Sequence, residues 1–68
     1  MIPIDSTAIA RAGYDAARRT LTLEYRNGRI YDYFGVPPEL YKQLLSADSA
    51  GEFVNLEIKP NYEYFEVE

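Results

Sequence analysis

The chain has 68 residues, no cysteine, no histidine and a net charge of −4 at neutral pH. These absences exclude disulfides and thiolate metal sites, and they remove the commonest zinc ligand and the commonest general base near neutral pH. The serines therefore have no histidine to activate them, and the glutamates lack the spacing of a calcium or magnesium loop. We expect one small domain over residues 1–68 that holds no cofactor or metal and is not an enzyme.

Charge is unevenly distributed along the sequence. Residues 1–34 carry five arginines and a net charge of +1, whereas residues 35–68 carry a net charge of −5. Because phosphate contacts usually need a basic surface, the overall charge argues against a sequence-independent nucleic-acid binder. A local arginine face weakens that argument without removing it. The apolar runs are too short to span a bilayer, and the N-terminus does not resemble a signal peptide, so we expect a cytoplasmic protein.

The N-terminal residues predict a lead-in followed by a strand. Residues 1–7 contain Pro3, which cannot donate to a sheet ladder, and a turn-prone Asp-Ser-Thr segment. Residues 8–14 are weakly patterned, but Gly13 disfavours a helix there. We therefore predict a first strand over residues 8–14 that ends in a turn near residues 15–18.

A hairpin follows, and it is the clearest structural signal in the chain. Residues 20–26 alternate between apolar and polar side chains with the period of a half-buried strand. Asn27-Gly28 is the strongest short-range hairpin signal, and residues 29–34 form the returning strand. The N-terminal half is therefore predicted to be an antiparallel meander of three strands.

A first helix is predicted directly after the hairpin. Pro37 and Pro38 suit its first turn, where a missing N–H is no loss. Ala47 and Asp48 end it. Four apolar residues recur at helical spacing and should face the core: Leu40, Tyr41, Leu44 and Leu45.

A short second helix and a last strand complete the chain. Ser49 and Glu52 have the spacing of a capping box, and Pro60 should stop the helix that Ser49 begins. The apolar residues of that helix are Phe53, Val54, Leu56 and Ile58. Residues 62–67 alternate well enough to add a C-terminal strand, whose edge would be protected from pairing by Glu63, Glu66 and Glu68. The expected fold class is α+β: a small antiparallel β-meander of three strands, one or two helices packed on it, and a C-terminal strand.

The pairing register of the hairpin decides whether Tyr31 and Tyr33 are surface or core. A two-residue turn at Asn27-Gly28 would put both rings on the polar face with Arg26 and Arg29, an arrangement on which unpaired bases stack. A three-residue loop with Gly28 in the left-handed position shifts the pairing by one residue. Tyr31 would then face Leu23, Tyr33 would face Leu21, and both rings would join the apolar side.

The position of Asp32 favours the three-residue loop. The two-residue turn places Asp32 among leucines, and burial of an unpaired carboxylate costs several kcal/mol. The other register leaves Ile30 and Phe34 on the outer face, which is the cheaper arrangement. We therefore predict that Tyr31 and Tyr33 are mainly structural, with Asp32 pointing outward.

An ordered set of short motifs runs through nearly the whole chain. They are Ser6-Thr7-x-Ile9, Gly13-Tyr14-Asp15, Thr20-Leu21 through Tyr25, Asn27-Gly28, Tyr31-x-Tyr33, Val36-Pro37, Tyr41, Leu44, Ala47-x-Ser49-x-Gly51, Phe53-x-Asn55, Ile58 and Tyr62. In this respect the chain resembles the KTSC domain family, named for a segment at the C-terminus of some lysyl-tRNA synthetases. The resemblance implies a stand-alone bacterial or phage member, and it implies a non-catalytic module for which RNA binding has been suggested, with tRNA as the natural partner.

The sequence departs from that family pattern at two positions. A second aromatic residue is expected where Val54 stands, and usually an arginine where Lys59 stands. Valine and lysine in place of a stacking ring and a guanidinium would remove two plausible RNA contacts. The departures therefore count against RNA binding by this member of the family.

Candidate nucleic-acid-binding residues can still be named. Each has a simpler explanation: tyrosines often pack in cores, and arginines at turns are often solvated. The two arginine pairs flank opposite ends of one strand, roughly 20 Å apart at strand rise. The candidates are Arg18, Arg19, Arg26, Arg29, Tyr31 and Tyr33.

Two other kinds of partner are compatible with the sequence. The acidic C-terminal half could make the chain a protein–protein adaptor that binds a basic surface. Exposure of Ile30 and Phe34 together would instead allow a weak homodimer, the alternative being a monomer. RNA remains the leading expectation because of the family resemblance.

Overall fold

The computed structural model describes residues 1–67, and its centre is a five-stranded antiparallel sheet in the order β1-β2-β3-β4-β5. The strands are β1 (Ile2–Pro3), β2 (Ile9–Asp15), β3 (Thr20–Tyr25), β4 (Ile30–Phe34) and β5 (Tyr64–Val67). Between β4 and β5 the chain forms α1 (Pro38–Ser46), α2 (Ala50–Phe53) and a π-helical segment (Val54–Ile58). The predicted α+β class is thus confirmed.

The predicted strand count was one too low, because residues 1–7 are more than a lead-in. Ile2 pairs with Ala12 and Pro3 pairs with Arg11, so β1 adds a short edge strand beside β2. An edge strand tolerates proline, since the outer side of the strand needs no donor for a neighbour. The missing N–H of Pro3, which argued against a strand, therefore fits a position at the sheet edge.

The hairpin has the register of the three-residue loop. Leu21 pairs with Tyr33 and Leu23 pairs with Tyr31. The Tyr25 N–H donates to the Arg29 carbonyl at 2.8 Å, and Gly28 has a φ of 91°. A positive φ of this size is costly for residues that carry a Cβ, so glycine permits the loop. The predicted register is confirmed.

The two faces of the sheet differ as that register requires. Asp32 lies on the outer face, where it accepts a 2.6 Å hydrogen bond from the Thr22 hydroxyl. Ile30 is half-buried and Phe34 is exposed on the same face. On the inner face, buried residues of the strands pack with buried residues of the helices. The buried core consists of Ile9, Ala12, Leu21, Leu23, Tyr33, Val36, Leu44, Ala50, Val54 and Ile58.

The helices begin where the sequence predicts them. Pro37 precedes α1 and Pro38 is its first residue. The Ser49 side chain caps α2 by accepting the Glu52 N–H at 3.2 Å, which confirms that half of the predicted capping box. The prediction that Leu45 faces the core was wrong, since the residue is 41% exposed. The apolar face of α1 is therefore narrower than its sequence pattern, and Leu44 is its only fully buried member among the described residues.

Leu56, like Leu45, is a helical leucine that lies outside the core. It lies in the π-helical segment and is 62% exposed, whereas Val54 and Ile58 in the same segment are buried. The C-terminal strand is confirmed over Tyr64–Val67 and forms the other sheet edge, and Glu68 lies outside the described residues. In the part of the chain that is described, no helix has the length and apolar character to cross a membrane.

Candidate functional site

Four tyrosines from three neighbouring strands converge on the inner face of the sheet. Tyr25 comes from β3, Tyr31 and Tyr33 from β4, and Tyr64 from β5. Together with Asn27 and Lys59 they line a cavity of about 390 Å³, which we call the tyrosine pocket. The strand register explains the convergence. Tyr33 pairs with Leu21 on β3 and with Tyr64 on β5, so these three side chains lie side by side on one face of the sheet.

The rings support one another through edge contacts. Tyr31 meets Tyr25 edge to face with centroids 5.5 Å apart, and it meets Tyr64 in the same way at 5.7 Å. Tyr33 lies 5.7 Å from Tyr64 with the two rings tilted. Such arrangements match the positive edge of one ring to the negative face of another and fix ring orientation. The pocket walls are therefore organised before any ligand arrives.

Exposure differs sharply among the four rings. Tyr33 is 2% exposed and forms the floor, whereas Tyr64 is 60% exposed and forms an outer wall. Tyr25 and Tyr31 are half-buried between these extremes. The prediction that Tyr33 is a core residue is thus correct, but Tyr31 keeps part of its ring in contact with solvent. A planar ligand would meet Tyr31 and Tyr64 first.

The hydroxyls at the pocket floor are held in the neutral form. The Tyr25 and Tyr33 oxygens lie 2.9 Å apart and share one hydrogen bond. Burial, and then the bond to Tyr33, raise the pKa of Tyr25 well above its ordinary value. Burial also raises the pKa of Tyr33. The pocket floor therefore carries no negative charge at neutral pH, and its hydroxyls can both donate and accept hydrogen bonds.

Two cationic side chains flank the pocket. The Lys59 Nζ lies 5.5 Å from the centroid of the Tyr25 ring, above its face. Arg29 lies beside Tyr31, and its Nη1 is 3.8 Å from the Glu66 Oε1. The neighbouring Tyr31 hydroxyl and the charge of Glu66 raise the pKa of Arg29. Both cations remain exposed, so they can reach an anionic group bound over the pocket mouth.

The structure brings together only some of the predicted nucleic-acid-binding residues. Arg29, Tyr31 and Tyr33 belong to one surface around the pocket. Arg18 and Arg19 lie in the β2–β3 turn at the far end of β3, where Arg18 is 3.9 Å from Asp15. The two pairs of arginines therefore lie at opposite ends of β3 and form no continuous cluster.

Arg26 has a structural role of its own. Its Nε donates to the Ser6 carbonyl at 2.9 Å, and its Nη2 donates to the Ile4 carbonyl at 3.1 Å. Its backbone N–H also donates to the Ala8 carbonyl at 2.9 Å. The guanidinium thus fastens the N-terminal segment to the hairpin loop. This use of Arg26 was not visible in the sequence, where an arginine beside Asn-Gly is typical of a solvated turn.

Sequence reasoning missed four of the six residues that line the pocket, among them Asn27, which was noted only as part of the turn. Tyr25 was placed only on the apolar side of its strand, and Tyr64 was part of an edge strand without an assigned neighbour. Lys59 was noted solely as a departure from the family pattern. The second departure, Val54, is 1% exposed, so the idea that an aromatic residue there would supply a surface stacking ring was wrong.

Metal chemistry finds no support in residues 1–67. No group of three or more acidic side chains in that range converges closely enough to hold a metal ion. No glutamate is among the described residues that line the pocket, and Glu66 beside it pairs with Arg29. The arrangement is suited to holding a flat, electron-rich group between rings and cations.

Comparison with known proteins places this arrangement in a family. Residues 5–62 match the model of the KTSC domain. A KTSC domain protein of Yersinia pestis, known from a crystal structure, is 32% identical and superimposes with a TM-score of 0.94, over 97% of this chain and 93% of that one. A protein of Tsukamurella paurometabola is 47% identical over 62 residues, which cover 91% of this chain and 92% of that protein.

Lysine–tRNA ligases also contain a related segment. The ligase of Nostoc punctiforme is 33% identical over 60 residues, which cover 88% of this chain but only 11% of the ligase. The domain therefore occurs both as most of a small protein and as a minor part of a large enzyme. With the family model matched along most of its length and the fold shared with a solved member, the chain belongs to the KTSC domain family.

Proposed function

We propose that this chain is a non-catalytic RNA-binding module that holds an unpaired base in the tyrosine pocket. The observation that carries the proposal is the convergence of four tyrosine rings around an open cavity with Lys59 and Arg29 at its rim. Sequence-tolerant single-strand binding combines aromatic stacking with cations that follow the backbone. The ligase relatives make tRNA, with its unpaired loops and 3′ end, the first RNA to examine, and such a partner would place the working protein in the cytoplasm.

The charge of the chain predicts how such binding would be driven. A net charge of −4 provides little long-range attraction for RNA, so stacking must supply most of the affinity. Two rim cations would release about two counterions, which gives a slope of about −1.4 for log K against log salt on a single strand. A basic nucleic-acid binder would show a much steeper slope.

A neighbouring pair of aromatic residues provides the matched test. Tyr64 and Phe65 are both exposed on β5, at 60% and 64%, but they lie on opposite faces of the sheet. Tyr64→Ala should weaken binding of a short single-stranded RNA, measured by fluorescence anisotropy, by about 1 to 3 kcal/mol, the usual contribution of one stacked base. Phe65→Ala should leave it unchanged. Equal effects of the two variants, or none from either, would refute the proposal.

The arginines supply a second matched pair. Arg29→Glu reverses a charge at the pocket rim, and Arg18→Glu makes the same change at the other end of β3. We expect the first variant to weaken RNA binding and to flatten its salt dependence. The second should bind a short RNA as the unaltered chain does. Loss of binding in Arg18→Glu alone would move the interface to the β2–β3 turn.

A protein partner is the second candidate function, and one groove favours it. Exposed Leu56 and half-buried Phe53 lie between Asp48, Glu52 and Glu57. An apolar centre with an acidic border suits a short basic segment that carries one apolar anchor. Titration with a model peptide of this kind should shift the amides of the groove and not those of the pocket. The absence of such shifts would remove this candidate.

A further inference from the structure

The polar side chains that line the tyrosine pocket include one group that can only donate hydrogen bonds. Lys59 contributes an ammonium group, which has three donors and no acceptor. The described lining includes no carboxylate, and Glu66 next to the pocket faces Arg29. The tyrosine hydroxyls both donate and accept, so they do not distinguish between ligands. Discrimination therefore depends on Lys59 and Asn27.

Asn27 has one end engaged by its own loop. Its Oδ1 accepts the Arg29 N–H at 2.9 Å, which leaves the Nδ2 amide group as the free end. Asparagine recognises adenine by using Oδ1 and Nδ2 together on the N6 and N7 positions. The loop bond uses one of the two Oδ1 lone pairs and fixes the orientation of the amide, so Nδ2 is the end that is more available to a ligand. It can donate to a carbonyl acceptor.

We propose that the tyrosine pocket prefers bases with an oxo group at the pyrimidine 4 or purine 6 position, uracil and guanine, over cytosine and adenine, which carry an amino group there. This inference rests on the proposed RNA-binding function. A carbonyl oxygen at the pocket mouth would accept from the Lys59 ammonium or the Asn27 amide, whereas an amino group would set donor against donor. The cavity of about 390 Å³ is at the small end of ligand pockets and suits one base without separating purines from pyrimidines.

Two matched pairs of bases isolate the exchange of an oxo for an amino group, together with the change from N–H donor to acceptor that it brings at the adjacent ring nitrogen. Uracil and cytosine differ at the 4-oxo or 4-amino group, and hypoxanthine and adenine differ at the 6-oxo or 6-amino group. Each base is placed once in a short RNA whose other positions are abasic, and affinity is measured by fluorescence anisotropy. We expect the carbonyl member of each pair to bind roughly tenfold more tightly, the effect of gaining one hydrogen bond from a charged donor.

A loop-preserving variant identifies the residue responsible. Asn27→Asp keeps an oxygen for the Arg29 N–H but replaces the free amide donor with an acceptor. We expect it to remove most of the carbonyl preference. Asn55→Asp makes the same charge change on the π-helical segment, away from the pocket lining, and should keep the preference intact.

The outcomes separate this inference from the function on which it rests. Equal affinity for all four RNAs would overturn the base preference and leave RNA binding standing, and tighter binding of the amino bases would do the same. An unchanged preference in Asn27→Asp would overturn the part assigned to that residue. If none of the four RNAs binds, both the preference and the proposed function fail.

Discussion

Replacement of Arg26 by alanine should destabilise the fold without weakening RNA binding. The side chain donates two hydrogen bonds, to the Ser6 and Ile4 carbonyls at 2.9 and 3.1 Å, and both are exposed at the surface. Hydrogen bonds from charged donors contribute about 1.5 to 3 kcal/mol each, but water can replace an exposed donor at the freed carbonyls. We therefore expect a loss of about 1 to 2 kcal/mol in the free energy of unfolding, which is below the roughly 3 to 6 kcal/mol that two such bonds would give if they were additive.

In a domain of this size, such a loss in the free energy of unfolding gives a measurable shift in Tm. Average unfolding entropies predict roughly 7 °C in Tm per kcal/mol for a chain of this length, so Arg26→Ala should melt about 10 °C below the unaltered protein. Thermal unfolding followed by circular dichroism measures the shift. Arg29→Ala is the control, because that side chain is solvent-exposed and its ion pair with Glu66 is long at 3.8 Å.

The result that would refute the assignment is a specific one. If Arg26→Ala has the same Tm as the unaltered protein but binds RNA less well, Arg26 belongs to the RNA interface. Arg26→Lys refines the comparison, since an ammonium keeps the charge but loses the planar fork that reaches two carbonyls at once. We expect the lysine variant to recover only part of the lost stability.

Two further predictions concern the pocket floor and the hairpin loop. Burial raises the pKa of Tyr25 and Tyr33, so the folded chain keeps protons that the unfolded chain loses above about pH 10. The free energy of unfolding is therefore at its full value below that pH and falls as the pH rises past it. Thermal melts across this range should show a shallower fall for Tyr25→Phe, and an unchanged slope would contradict the buried hydroxyl pair. A Cβ at position 28 would meet no atom within 4 Å, so the cost of Gly28→Ala is the backbone strain at a φ of 91°. We expect urea unfolding to show a loss of about 1 to 2 kcal/mol in the free energy of unfolding. A neutral effect would show that the loop conformation is not required.

The hairpin was predictable from sequence because two independent signals agreed. Asn27-Gly28 marked the turn, and the cost of burying Asp32 chose between the two registers. The capped second helix followed from the spacing of Ser49 and Glu52 in the same way. Each of these features depends on residues that are close together in the chain.

Features that depend on distant contacts were predicted less well. Strand β1 exists because Ile2 finds Ala12, a pairing that a local pattern containing proline does not reveal. The burial of Leu44 but not Leu45 depends on how α1 sits on the sheet. Hydrophobic spacing gives the apolar side of a helix but not the width that its neighbours cover.

The candidate site shows the same limit. The Tyr31-x-Tyr33 pair could be singled out from the sequence, and Tyr25 lies on the other strand of the predicted hairpin. Tyr64 comes from β5, whose pairing with β4 is set by tertiary packing. Lys59 reaches the Tyr25 ring because the chain leaves the π-helical segment at that point. Arginines that look alike in the sequence have separate roles, since Arg26 bonds to backbone and Arg29 borders the pocket.

The most direct test of the central claim is an amide-resolved NMR titration of the labelled protein with short single-stranded RNA. The account predicts shifts concentrated at Tyr31, Lys59 and Tyr64, with little change at Arg18 and Arg19 in the β2–β3 turn. Shifts confined to the β2–β3 turn, or none at any RNA concentration, would contradict the assignment of the tyrosine pocket as the binding site.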